Sequence, residues 1–158
     1  MKKIILFGIA IAFFLACQEK GPERWTKESP NIEVVKALVK DYEAGNWESW
    51  RTHYSEDSKI MHNQFELSAK ELQEILTQDI TNYSEYKFSH SEDEMFFEQI
   101  IDDKGDKWVY FWGLWKGKIK GSDKEYLVPV HLACKIVDGK IAEEYGYYNR
   151  SEIDATFK

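Results

Sequence analysis

Lys107 to Ile119 reads KWVYFWGLWKGKI, a strand pattern that is apolar on both faces. Side chains alternate across a strand, so Trp108, Tyr110, Trp112 and Leu114 share one side while Val109, Phe111 and Trp115 share the other. A strand carrying rings on both sides needs cover on both sides. One face can pack on helices. The other needs a partner, and a second subunit is the simplest one, which predicts a homodimer.

The chain supplies the helices first. Ser29 is placed to cap a helix that starts at Pro30, and Ile32, Val35, Leu38, Val39 and Tyr42 recur at helical spacing until Gly45 stops the run. Asn46 then caps a short helix with Trp47, Trp50 and Tyr54 on one face. Ser58 to Asn63 has the pattern of a first strand. Ser68 and Glu71 form a capping box that opens a third helix, with Leu72, Ile75 and Leu76 inward.

From Tyr86 onward the pattern is all strand: Tyr86 to Ser91, Met95 to Asp102, Lys107 to Ile119, Glu125 to Val137 and Lys140 to Asn149. Asp103-Lys104-Gly105-Asp106 and Asp138-Gly139 are hairpin turns between them. The acidic turn at Gly105 lacks the ligand spacing of a calcium loop and reads as a plain turn. Helices followed by long hairpin-linked strands give an α+β class, a curved antiparallel sheet packed on about three N-terminal helices.

The start of the chain bears on location. Lys2 and Lys3 precede an apolar run from Ile4 to Ala16, too short for a permanent span, and Cys17 opens a polar stretch. This resembles the leader of bacterial lipoproteins, which implies an acylated Cys17 as mature N-terminus, anchored in the cell envelope facing periplasm or exterior. A soluble secreted form cut after Ala16 is the alternative. The expected organisation is a signal over 1–17, a tether over 18–30 with Pro22 and Pro30, and one domain over 31–158.

Composition excludes some functions. The 21 basic residues less Lys2 and Lys3 leave 19 against 28 acidic ones, a net of −9, and no basic stripe relieves it. Nucleic acid is not an expected partner. Once Cys17 is acylated only Cys134 remains, and one thiol cannot form an internal disulfide. The four histidines show no ligand spacing and no metal is expected; no motif calls for a cofactor. Aromatic residues make up 15% of the chain, enough both to build a core and to wall a pocket for a small apolar ligand.

Three stretches resemble the nuclear transport factor 2-like superfamily, which includes SnoaL-like cyclases and ketosteroid isomerases. Asp41 to His62 (DYEAGNWESWRTHYSEDSKIMH) looks like the family's opening of two helices and a strand. Lys107 to Gly121 resembles its long aromatic strand, and His131 to Ile153 its closing hairpin. The resemblance implies a cone-shaped fold over about residues 31 to 158. It also implies site positions. The isomerases' catalytic aspartate follows, by eight residues, the aromatic that ends the second helix, and that count from Tyr54 reaches His62. Their second acid falls on His131, and their hydrogen-bonding tyrosine falls on Leu38, which carries no hydroxyl.

His62 and His131 are therefore the candidate acid–base pair, since imidazole titrates near neutrality. Leu38, Tyr54, Phe97, Trp112, Trp115, Glu144 and Tyr147 are the expected pocket walls, with Tyr145 and Asn149 as further polar groups. Strand alternation offers a second reading of His131: Val128, Val130, Leu132, Cys134 and Ile136 form the more apolar face, which turns His131 away from the core. His53 and His90 read as solvated. Three functions fit: a membrane-tethered module binding a small apolar or amphipathic molecule, a cofactor-free isomerase, cyclase or lyase using His62, or a protein-interaction domain using the outer sheet face.

Overall fold

The structure is a computed structural model that describes residues 23–157. The leader, Cys17 and residues 18–22 of the expected tether lie outside the described residues. The first described element is a two-residue strand, β1 (Trp25–Thr26), so the chain joins the sheet before the first helix. Helices α1 (Pro30–Ala44) and α2 (Trp47–Thr52) follow, then β2 (Tyr54–His62), β3 (Phe65–Leu67) and α3 (Ala69–Asp79). A 3₁₀ turn leads into β4 (Tyr83–Phe88), β5 (Met95–Ile101), β6 (Lys107–Ile119), β7 (Glu125–Val137) and β8 (Lys140–Tyr148), and a short α4 (Ser151–Asp154) ends the fold.

Local chemistry sets the helix ends. The Ser29 hydroxyl accepts the Ile32 amide at 3.1 Å, Pro30 occupies the first turn, and Gly45 takes the left-handed conformation with φ 63°. Ser68 and Glu71 complete a reciprocal capping box, which holds the Glu71 carboxyl below its usual range. Asn46 stands at the cap position of α2 but turns its amide to Asp41 at 3.2 Å instead of capping. On α3, Leu72 is buried, while Ile75 faces outward, against the inward position expected from spacing.

The strands form one eight-stranded sheet in the order β1-β5-β6-β7-β8-β2-β3, with β4 sharing an edge of β6 with β5. All pairs are antiparallel except β2 with β8. That parallel pairing places a segment from the helical half of the chain beside the last strand. β2 starts at Tyr54, four residues before the expected Ser58, and its register slips between Tyr54 and Lys59. A bulged, partly polar segment of this kind breaks the alternation by which strands are recognised.

The helices cover the inner face of the sheet. Val35, Leu38 and Val39 of α1, Trp50 of α2 and Leu72 of α3 meet Val109, Phe111, Trp115 and Ile141 in one core. Each fully buried side chain of this size contributes about 1.5–3 kcal/mol. On β6 the rings alternate with glycine: a Cβ on Gly113 would meet the Phe111 ring at 2.3 Å, and one on Gly117 would meet Trp115 at 2.1 Å. The rings thus lie along their own strand, which is how β6 carries large side chains inward without filling the concavity.

Candidate functional site: a cone cavity with a buried carboxylate

The space left between helices and sheet is a cavity of about 120 Å³. Leu38, Tyr54, His62, Trp115 and Glu144, all singled out in the sequence, line it. So do Tyr42, Tyr83 and Phe88, which narrow it with rings. Its size is close to that of an engineered cavity of about 150 Å³ that takes benzene, and well below the roughly 300–1,000 Å³ of drug-sized pockets.

At one end lies a buried polar chain. Glu144, only 1% exposed, sits mid-β8; Tyr54 and His62 occupy the two ends of β2, and Tyr148 ends β8. The Tyr54 hydroxyl donates to Glu144 Oε2 at 2.8 Å, and Cys134 Sγ approaches the same oxygen at 3.6 Å. His62 Nε2 bonds Glu144 Oε1 at 2.7 Å, and its Nδ1 lies 3.2 Å from the Tyr148 hydroxyl. Burial, then the neighbouring Glu144 carboxylate, pushes both the Tyr54 phenol and the Cys134 thiol up, so both remain protonated donors. Burial likewise raises Tyr148. Tyr54 and Cys134 donate to one Glu144 oxygen, and His62 Nε2 stands at hydrogen-bond distance from the other.

Room for this arrangement comes from a glycine. Gly146 pairs with His62 across β2 and β8, and a Cβ there would stand 2.6 Å from His62 Cδ2 and 2.7 Å from Nε2. Any other residue at 146 forces the imidazole or the β8 backbone to shift. Neither Gly146 nor Tyr148 stood out in the sequence. Alternation from Glu144 along β8 marks Tyr148 as inward, and that is the signal that finds it.

A second polar group borders the cavity where it approaches solvent. Arg150 forms a two-pronged ion pair with Asp79, at 2.7 and 2.8 Å, and also reaches Asp154 at 2.9 Å. Hydrogen bonding to Asp79 holds its guanidinium above the usual range. Burial, then the Asp79 charge, raises the Tyr83 phenol to about 12. The pair ties the end of α3 to the C-terminal turn, so Arg150 arrives already neutralised.

Several expected wall residues lie elsewhere. His131, Trp112 and Tyr147 occupy the opposite face of the sheet, because alternation on β6, β7 and β8 turns them outward while Phe111, Leu132 and Gly146 turn inward. There they form a row: Trp112 stacks on His131 at 3.8 Å between centroids, with Phe96 on one side and Tyr147 on the other. Tyr145 also faces outward, against Trp108. Phe97 points inward, but it packs on Phe111 outside the cavity. His62 and His131 are thus separated by the sheet and do not form a pair.

The other histidines are tied to carboxylates. His53 Nε2 bonds Asp41 Oδ2 at 2.7 Å, and Ser49 donates to the same oxygen at 2.6 Å, so His53 is packed rather than solvated. Burial pushes Asp41 up, but the bonds from Ser49 and His53 outweigh it and leave the carboxyl below its ordinary value. His90 is exposed beside Glu43. Among the described residues, no group of three or more His, Cys, Asp or Glu side chains is arranged to hold a metal.

A conical α+β domain with a ring-lined cavity and a carboxylate–imidazole pair at its base defines the class of protein. The comparison with solved structures places it more closely: this is the nuclear transport factor 2-like fold. A ketosteroid isomerase-like protein from Catenulispora acidiphila, in complex with trimethylamine, superposes with a TM-score of 0.61 at 14% identity, over 78% of this chain and 90% of that one. A SnoaL-like protein from Shewanella denitrificans gives 0.61 at 11% identity, over 82% and 98%. A nuclear transport factor 2-like protein from Burkholderia xenovorans gives 0.60 at 14% identity, over 84% and 100%. No protein-family model matches the sequence. A search of curated proteins finds no match either.

Proposed function

We propose that this domain is a ligand-binding module that holds one small, mostly apolar molecule in the cone cavity, against His62 and Tyr148. The carrying observation is the cavity itself, about 120 Å³ walled by rings and ending in a fully hydrogen-bonded polar chain. A cone merely packed shut has no need of a buried carboxylate, which costs several kcal/mol to desolvate. The Catenulispora acidiphila protein of the same fold was captured with trimethylamine, a molecule of a few heavy atoms.

A second reading is proton-transfer chemistry, favoured by the 2.7 Å contact that orients His62 on Glu144. In that reading Glu144 fixes the tautomer and Nδ1 is the base, receiving its proton through Tyr148.

The setting completes the proposal. Cys17 carries a lipid anchor to the envelope membrane, and two copies pair through the outer face. Support for pairing is the half-exposed row of Phe96, Trp112 and Tyr147, which a stable interface of at least about 1,000 Å² would cover.

Benzene is the direct probe of the cavity. Its addition should shift the methyl resonances of Leu38, Leu72 and Val128 saturably, whereas unmoved methyls reject the binding reading. Cys17→Ser should release the protein from membranes, and partitioning of the unaltered protein into the aqueous phase would reject the anchor.

A further inference from the structure

The polar chain has a direction. Tyr54 and Cys134 donate to Glu144 Oε2, and His62 Nε2 donates to Oε1. With His62 neutral and its proton on Nε2, Nδ1 is an acceptor, and the Tyr148 hydroxyl 3.2 Å away is placed to give it a hydrogen. Every proton in the chain is aimed at the carboxylate. What remains for the cavity is the lone pairs of the Tyr148 oxygen. A site that stabilises an oxyanion presents hydrogen-bond donors; this one presents an acceptor.

Charge narrows the ligand further. An anion would meet an acceptor backed by a buried carboxylate. A cation would leave water for a site where Glu144 is covered by its own donors and Arg150 is engaged by Asp79 and Asp154. Size sets the last limit, since about 120 Å³ suits one ring or less. Tyr42 adds a complementary group: its oxygen accepts the Trp115 indole N–H at 2.9 Å, which leaves its own hydrogen to donate.

We infer that the cavity selects a neutral molecule of at most one ring carrying a hydroxyl group, whose O–H donates to Tyr148 and so extends the chain ending at Glu144. The inference rests on the cavity-binding reading above and specifies its ligand class. A hydroxyl suits this wall, because it can give a hydrogen to the Tyr148 oxygen.

Calorimetry or chemical-shift titration with five one-ring probes tests it: phenol, toluene, anisole, benzoate and benzylammonium. Phenol should bind between about threefold and tenfold more tightly than toluene, the ratio one added hydrogen bond gives. Anisole, with an oxygen but no donor, should match toluene, and both ions should bind more weakly still. In Tyr148→Phe, phenol should fall to toluene's level while toluene is unchanged. The comparison among probes on the unaltered protein stands even where that variant does not fold. Toluene binding as well as phenol, or anisole binding better, overturns the hydroxyl assignment and leaves the cavity reading intact. Either ion binding more tightly than phenol overturns the charge argument. No binding by any probe removes both readings.

Discussion

Two histidines lie on opposite faces of one sheet, each among aromatic rings, and they are held in different ways. His62 is fixed through both nitrogens, by Glu144 at 2.7 Å and Tyr148 at 3.2 Å, and is only 7% exposed. His131 is fixed by stacking on Trp112, with Nδ1 against the Phe111 carbonyl of the adjacent strand at 3.0 Å. One imidazole belongs to a hydrogen-bonded chain that reaches Glu144; the other is a flat spacer in a row of rings. Residue type is the same, so the difference comes from which side of the strand each occupies. Chemistry at this fold's inner face therefore has to be argued from His62 alone.

The largest break in that comparison comes from Glu144. Glu144→Ala leaves Tyr54 and His62 without their shared acceptor and should cost about 3 kcal/mol or more in urea unfolding. An equivalent truncation of His131 should cost far less. A loss under about 1 kcal/mol for Glu144→Ala would mean that the inner chain does not organise the core.

Gly146→Ala acts next. The new Cβ overlaps the His62 ring, so the variant should lose about 1–3 kcal/mol and separate His62 from Glu144. Chemical shifts of the His62 imidazole read that separation directly, and an unmoved ring would show that β8 can give way instead.

On the outer face, Trp112→Ala should weaken self-association by at least about tenfold, roughly 1.4 kcal/mol, measured by a sedimentation-velocity dilution series. The cavity titration should be unaffected. A monomeric parent protein at tens of micromolar would remove the pairing proposal.

The smallest expected effect is a pH dependence from His131. Burial lowers its pKa against the opposing pull of the Phe111 carbonyl, so the folded state prefers the neutral ring. Folding stability from this group is therefore complete above about pH 6.5, the unfolded value, and declines as pH falls from there toward the lower folded pKa. Replacing His131 by Gln should flatten that part of the stability profile, and an unchanged slope would contradict the assignment.

Much of the fold was legible from local pattern. Alternation gave β6 over Lys107–Ile119 and β7 over Glu125–Val137 with their observed ends, and the Ser29 and Ser68 caps with Gly45 bounded α1 and marked the start of α3. What stayed hidden is non-local. The parallel pairing of β2 with β8 brings His62 beside Gly146 and Glu144, and no spacing within either strand reports it. The count from Tyr54 reached His62 through the family resemblance, but a count cannot show that its partner is a glutamate on the last strand. The same limit explains His131: a gapless alignment suggested a pair, while strand alternation had already turned it away from Leu132 and Cys134. The sequence offers Tyr147 as the wall where Tyr148 stands, a slip of one residue that exchanges the faces of a strand.

In the binding reading the inner histidine, and not the outer one, meets the ligand. Titrating the protein with phenol while following both imidazole side chains by NMR tests it in one experiment. Saturable shifts for His62 with His131 unmoved are the expected result. Shifts at His131 with His62 unmoved, or none at either ring, would contradict it.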